Sequence, residues 1–276
     1  LNCLGVLLLR QGKLKEAEPI LRKAVEGSRH LFGDQSYDTS RWIGNLGALL
    51  EAQGRFDEAE PCFREALKGD RQHLGNEHPQ TLGAIRRMGT LLLEQRKLDQ
   101  AEIFFREALE GCRDVLGNEH PDTLSSISNM GMLLEAQRRL EEAESHFREA
   151  LRGRQQKLGS DHPDTLDSMN NLGKFLMARG RFEEAEPVCL KVLEGSRRVH
   201  GEDHITTLRS INNMGVLLYG QFKFAQAEPY LRRALEGNRR WLGEDHPDTL
   251  GAINNLGNAL RDQGKFDEAE PYCREA

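Results

Sequence analysis

The chain has 276 residues, of which 38% are hydrophobic and 30% charged, with 38 Lys and Arg against 44 Asp and Glu. The net charge of -6 argues against nucleic acid as a partner, because such binding depends on a basic surface that neutralises phosphates. The longest apolar runs, such as Val6 to Leu9, fall far short of the ~18 residues a membrane span needs, so no membrane contact is expected.

Self-similarity organises everything else. Gly5, Gly47, Gly89, Gly131, Gly173, Gly215 and Gly257 recur every 42 residues, as do Ala17, Ala59, Ala101, Ala143, Ala185, Ala227 and Ala269. The period runs without insertion or deletion and divides 1-276 into units 1-33, 34-75, 76-117, 118-159, 160-201, 202-243 and 244-276. That makes about six and a half repeats, partial at both ends. Aromatic residues make up only 6%, so the core must come mainly from Leu, Ile, Ala and Met.

In chain order, Leu1 to Arg10 is part of a first helix, and a second helix follows in which Glu18 stands one turn before Arg22. The unit 34-75 has Ser36-Tyr37 where later units have His-Pro, then an apolar stripe of Ile43, Leu46 and Leu50. Its turn reads Gln53-Gly54-Arg55-Phe56, where glycine ends the helix, and its second helix carries Ala59, Phe63 and Ala66. The unit 76-117 places Arg86-Arg87 where other units have Asn-Asn or Ser-Asn. The unit 118-159 opens on His120-Pro121-Asp122-Thr123, with the proline suited to a first helical turn and His120 or Asp122 as the cap. Leu124, Ile127, Met130 and Leu134 form the stripe of its first helix. Arg138 replaces the turn glycine, and Leu140, Ala143, Phe147, Ala150 and Leu151 form the second stripe. In the units 160-201 and 244-276, Cys189 and Cys273 take the place of Phe147, which predicts buried apolar fillers. The chain stops at Ala276 inside a second helix.

Each unit is therefore a helical hairpin with two apolar stripes, and only stacking against neighbours buries both. The small residues at fixed places allow the helices to approach closely. Neither end carries a polar cap, which predicts fraying or end-to-end self-association. Five scattered cysteines, an odd number without a CxxC pair, predict reduced thiols and a cytoplasmic location.

His78, His120, His162, His204 and His246 occur once per unit. Packed helices lie about 8–10 Å apart and metal ligands about 2 Å from their ion, so these histidines predict turn caps and no metal site. No phosphate-loop, nucleophile-elbow or zinc-protease motif is present, and the carboxylates recur with the repeat instead of converging. No cofactor and no catalytic residue is expected; the chain reads as a non-enzyme.

Ile43, Leu46, Gly47, Leu50, Ala59, Phe63 and Ala66 resemble the tetratricopeptide repeat (TPR) signature, at a period longer than its usual ~34 residues. The phrases His-Pro-Asp-Thr-Leu and Arg-Glu-Ala-Leu-Glu-Gly are similar to the long repeats of kinesin light chains. They also resemble arrays attached to fungal and bacterial NLR-type signalling ATPases, whose near-identical repeats these match better. The resemblance implies an all-α fold, a right-handed α-α superhelix (TPR solenoid) of stacked hairpins. It implies a scaffold that binds an extended peptide or protein segment on the concave face lined by first helices. The alternatives are a sensor or regulatory array for a signalling ATPase, and a structural spacer.

On that face the resemblance places Asn45, Asn129, Asn171, Asn213 and Asn255, with Arg87 breaking the series. Asparagine both donates to and accepts from a peptide backbone, although the same series also suits bonds between helices. Arg41, Arg86, Arg87, Lys174 and Arg209 lie beside it. They predict a partner with acidic side chains or a C-terminal carboxylate, docked near Arg87.

Overall fold

The structure, a computed structural model, describes residues 1–275. Fourteen helices follow in order: α1 (Asn2–Arg10), α2 (Leu14–Phe32), α3 (Tyr37–Ala52), α4 (Phe56–Leu74), α5 (Pro79–Glu94), α6 (Leu98–Leu116) and α7 (Pro121–Ala136), then α8 (Leu140–Leu158), α9 (Pro163–Ala178), α10 (Phe182–His200), α11 (Ile205–Gly220), α12 (Phe224–Leu242), α13 (Pro247–Asp262) and α14 (Phe266–Glu275). No strand occurs among the described residues. The chain divides into two compact units, Leu1–His146 and Phe147–Ala276. Within the first, α1 packs on α2, α3 on α4 and α5 on α6, and each second helix packs on the next first helix. The second unit repeats this through α9 to α14. Both are stacks of hairpins with an all-α core.

Local chemistry explains each helix boundary. His78, His120, His162, His204 and His246 cap α5, α7, α9, α11 and α13. Each Nδ1 accepts from the backbone N–H two residues on, at 3.1–3.2 Å. The cap is thus the histidine, not the aspartate, and it works only while Nδ1 is unprotonated. Ser36, at the degenerate opening of α3, makes no side-chain cap bond. Buried Thr39, Thr123, Thr207 and Thr249 donate to Gly33, Gly117, Gly201 and Gly243 carbonyls at 2.7–2.9 Å, tying α3, α7, α11 and α13 to the preceding connection, whereas the hydroxyls of Thr81 and Thr165 find no partner among the described residues. Inside the hairpins the turn keeps positive φ whatever residue fills it. Gly54 and Gly180 have φ of 73 and 69, while Arg96, Arg138 and Phe222 have 60, 64 and 62. A side chain held there costs about 1–2 kcal/mol, so the packed hairpin overrides the residue.

Gly5, Gly47, Gly89, Gly173, Gly215 and Gly257 of the first helices each face the second helix of their own hairpin. A Cβ on Gly89 would lie 2.6 Å from Phe105, and one on Gly215 would lie 2.6 Å from Leu231. Cys189 is buried opposite Gly173, and burial pushes its thiol up to about 11. Cys273 is exposed, contrary to its repeat position.

Neighbouring hairpins are also clamped by charge. Glu18 of α2 accepts from Arg22 on its own helix at 2.8 Å, and from Gln53 at 3.0 Å and Arg55 at 2.8 Å on the next turn. In the second unit Glu228 accepts from Arg232 at 2.9 Å, Gln263 at 3.0 Å and Lys265 at 2.7 Å. Arg55, then Gln53 and Arg22, lower the Glu18 carboxyl to about 2. Burial raises that of Glu228, but Lys265, Arg232 and Gln263 outweigh it and bring it to about 2. The Glu18–Arg22 and Glu228–Arg232 pairs are therefore half of a joint between repeats.

Candidate functional site

Residues three, four and seven apart share one helix face. On α3 that face is Arg41, Gly44 and Asn45; on α5 it is Gly83, Arg86, Arg87 and Thr90. Together they line groove one, of about 640 Å³, over a floor supplied by Phe63, Ala66 and Asp70 of α4. In the second unit the same positions line groove two, of about 610 Å³. It brings together Asn170 and Lys174 of α9, Arg209, Asn212 and Asn213 of α11, and Gly251 and Asn255 of α13, over Val192, Ser196 and Asn238.

Eight of the ten residues singled out from the sequence fall in these two places. Arg41, Asn45, Arg86 and Arg87 line groove one; Lys174, Arg209, Asn213 and Asn255 line groove two. Asn129 and Asn171 are half-buried on α7 and α9 and line neither.

The asparagines are already engaged between helices. Asn45 donates to Asn2 at 3.1 Å, Asn213 to Asn170 at 2.7 Å and Asn255 to Asn212 at 3.3 Å. Each keeps one further N–H and its carbonyl oxygen for another partner. Two of the five cations are likewise paired. Arg86 reaches Asp122 at 3.4 Å, and Arg209 reaches Asp248 at 2.7 Å. Of the adjacent pair Arg86-Arg87, Asp122 at the opening of the next first helix thus neutralises one.

Arg41, Arg87 and Lys174 have no acidic partner within ion-pair distance and are exposed. The reason is local for Arg41, since Gln80 stands where Asp122 and Asp248 stand in other repeats, and it accepts from Tyr37 instead. Arg87 lies over the Phe63 ring at 5.7 Å. Its guanidinium draws the Glu51 carboxyl down, but burial, the larger effect, raises it above the ordinary range. Asp70 is buried at 6% exposure, and that burial raises its carboxyl too, against the pull of His78 and His73. Asp167, in groove two, is raised by burial and by Asp164. Sequence reasoning missed Glu51, Asp70 and Asp167. The signal was available at one of them: Asp70 is the single carboxylate in a series that otherwise reads Ser28, Cys112, Arg154, Ser196 and Asn238.

Among the described residues, no group of three or more His, Cys, Asp or Glu is placed to hold a metal ion. No described helix is long and apolar enough to cross a membrane.

Paired helices stacked in fixed register, with a groove on the first-helix face, define a helical-repeat protein. The tetratricopeptide repeat family model matches residues 1–72, 80–156, 122–174, 164–240 and 212–276, and a second model of that family matches 45–114. The chain belongs to the tetratricopeptide repeat family. Solved structures show the same fold. BtubC (BKLC) from P. vanneervenii is 22% identical, covering 80% of this chain and 89% of its own, with a TM-score of 0.68. A putative kinesin light chain from Podospora anserina, described as having nearly identical TPR-like repeats, is 19% identical over 72% of this chain and 94% of its own, with a TM-score of 0.60. The Rap conjugation gene regulator of plasmid pLS20, in complex with the Phr* peptide, is 16% identical over 98% of this chain and 70% of its own, with a TM-score of 0.71. No curated protein matches the sequence.

Proposed function

We propose that the chain is a cytoplasmic protein-interaction scaffold, not an enzyme, that holds an extended acidic peptide segment against its first helices through groove one. One observation carries this: Arg41 of α3 and Arg87 of α5 stand exposed in one groove without acidic partners within ion-pair distance, while equivalent or adjacent arginines are neutralised within the chain. The remaining amide groups of Asn45 supply backbone contacts. Support from relatives is of the same kind. The pLS20 Rap regulator is described in complex with a peptide, as is the quorum sensor NprR with NprX. The kinesin light chain-like adaptor is the finer reading we adopt, on the likeness to the Podospora anserina chain and its repeat length. Its nearly identical repeats also favour a second reading, a regulatory array of a signalling ATPase, in which the same groove serves as the sensor surface.

The test is titration of the full chain with fluorescein-labelled alanine-based peptides carrying two Glu residues at varied spacing. Charge-assisted bonds contribute about 1.5–3 kcal/mol, so Arg41→Glu with Arg87→Glu should weaken the best peptide tenfold or more. Unchanged affinity in the double variant removes groove one from the function.

A further inference from the structure

One position of the second helices differs in every way that matters from repeat to repeat. Ser28, Asp70, Cys112, Arg154, Ser196 and Asn238 are equivalent, and all six are buried. Five of them bond to the first helix that follows. Ser28 and Thr39 share a hydrogen bond of 2.8 Å, and Ser196 and Ser210 one of 3.2 Å. Ser126 donates to the Cys112 sulfur at 3.8 Å, Arg154 donates to Ser168 at 2.6 Å, and Asn238 donates to the Asp248 carbonyl at 3.0 Å. Asp70 has no such bond and no ion pair. The hydroxyl that serves this position elsewhere, from Ser126, Ser168 or Ser210, is replaced by Ala84.

A carboxylate nine-tenths buried, acceptor-only and without a donor is costly. Asp70 is such a group, and it forms part of the floor of groove one. Ala66 and Phe63 lie one and two turns before it on α4 and offer an apolar wall to an aliphatic stem. Above them stand Arg41 and Arg87, which repel a free cation. His73 and His78 are the other titratable groups that act on Asp70, and each is committed locally: His73 to the Gly69 carbonyl and His78 to the helix cap.

We propose that Asp70 is the floor of a subsite in groove one that receives a Lys or Arg side chain of an extended peptide, while Arg41 and Arg87 hold an acidic residue of the same peptide. This rests on the peptide-binding reading of groove one and adds a selectivity to it: the preferred segment is mixed in charge, with its cation at one fixed distance from its acid. A purely acidic segment leaves Asp70 without a donor.

The test uses the full chain and an array of alanine-based nonapeptides. Each carries one Glu and one varied residue, Lys, Arg, Gln or Ala, at every spacing. In the wild-type chain, Lys or Arg at one spacing should strengthen binding tenfold or more over Gln or Ala. Asp70→Ser and Asp70→Asn place there the residues already found at 28 and 238, so the hairpin can hold either. Both should abolish the cation preference while the dependence on Glu stays, and thermal melting checks that each variant is folded. A preference that survives in both variants, or that never occurs in the wild type, overturns the subsite alone. A wild-type chain that binds none of the peptides overturns the groove reading and the subsite with it.

Discussion

Groove one and groove two are built from the same helix positions, yet they differ in which polar groups have found partners inside the chain. In groove two Arg209 is paired with Asp248, Asn213 and Asn255 with Asn170 and Asn212, and on the floor Ser196 and the amide N–H of Asn238 bond to neighbouring helices, leaving Lys174 and the Asn238 Oδ1 without partners among the described residues. In groove one, Gln80 replaces the aspartate, Gly44 and Arg87 replace two asparagines, and Asp70 replaces Asn238. Arg41, Arg87 and Asp70 are left without ionic partners as a result. Groups satisfied within the chain act as struts between hairpins; groups left unsatisfied at the same places are ready to meet another molecule. Stability and readiness to bind thus trade against each other within one repeat pattern.

The largest effect that sharpens the contrast lies beneath the grooves. Gly89→Ala in the first unit puts a Cβ 2.6 Å from the Phe105 ring, while Gly173→Ala in the second meets only the Cys189 sulfur at 3.1 Å. Overpacking of this kind costs about 1–3 kcal/mol, so we expect the upper end for Gly89 and less than ~1 kcal/mol for Gly173, measured by denaturant unfolding. Next come the groove charges. Lys174→Glu with Arg209→Glu in groove two should change affinity for acidic peptides less than threefold, against the tenfold expected of Arg41→Glu with Arg87→Glu. An equal loss would erase the distinction between the grooves.

Asp70 tests the trade directly. Its carboxyl is raised by burial, so the folded state binds its proton more tightly than the unfolded one. Its stability cost is therefore absent below the ordinary carboxylate range and grows as pH rises through the raised value. Asp70→Asn should stabilise the chain by about 1 kcal/mol at pH 7 and by nothing near pH 3, read from melting curves at the two values. Glu18 and Glu228 have the opposite sign. Lowered to about 2, they contribute stability that is fully present above the ordinary carboxylate range and is lost as pH falls toward 2. Glu18→Gln and Glu228→Gln should each cost about 1 kcal/mol at pH 7, equally in both units, and the deficit should vanish in acid. Smallest of all, Arg138→Gly and Phe222→Gly should each stabilise by up to about 1 kcal/mol, because glycine holds positive φ without strain.

Much of this was legible before any coordinates. The repeated glycine, alanine and threonine set the hairpin register, and the His-Pro openings marked the helix starts. The resemblance to tetratricopeptide arrays placed Asn45 and Arg87 on the groove face, and a constant period puts equivalent side chains in equivalent places. The pairings were not legible. Arg86 meets Asp122, Arg209 meets Asp248 and Asn213 meets Asn170, at separations of 36, 39 and 43 residues. Those separations straddle the repeat length, so periodicity alone does not choose among the candidates.

By itself the amino-acid order determined that this protein is a run of helical hairpins, where each helix begins and ends, and which face of each first helix looks away from the core. Those properties depend on contacts within some forty residues and repeat with them. Only the tertiary structure decided which charges cancel and which remain. Cancellation depends on whether a side chain of the adjacent hairpin comes within about 3 Å, and one substitution there, Gln80, changes the answer for Arg41 on the preceding first helix.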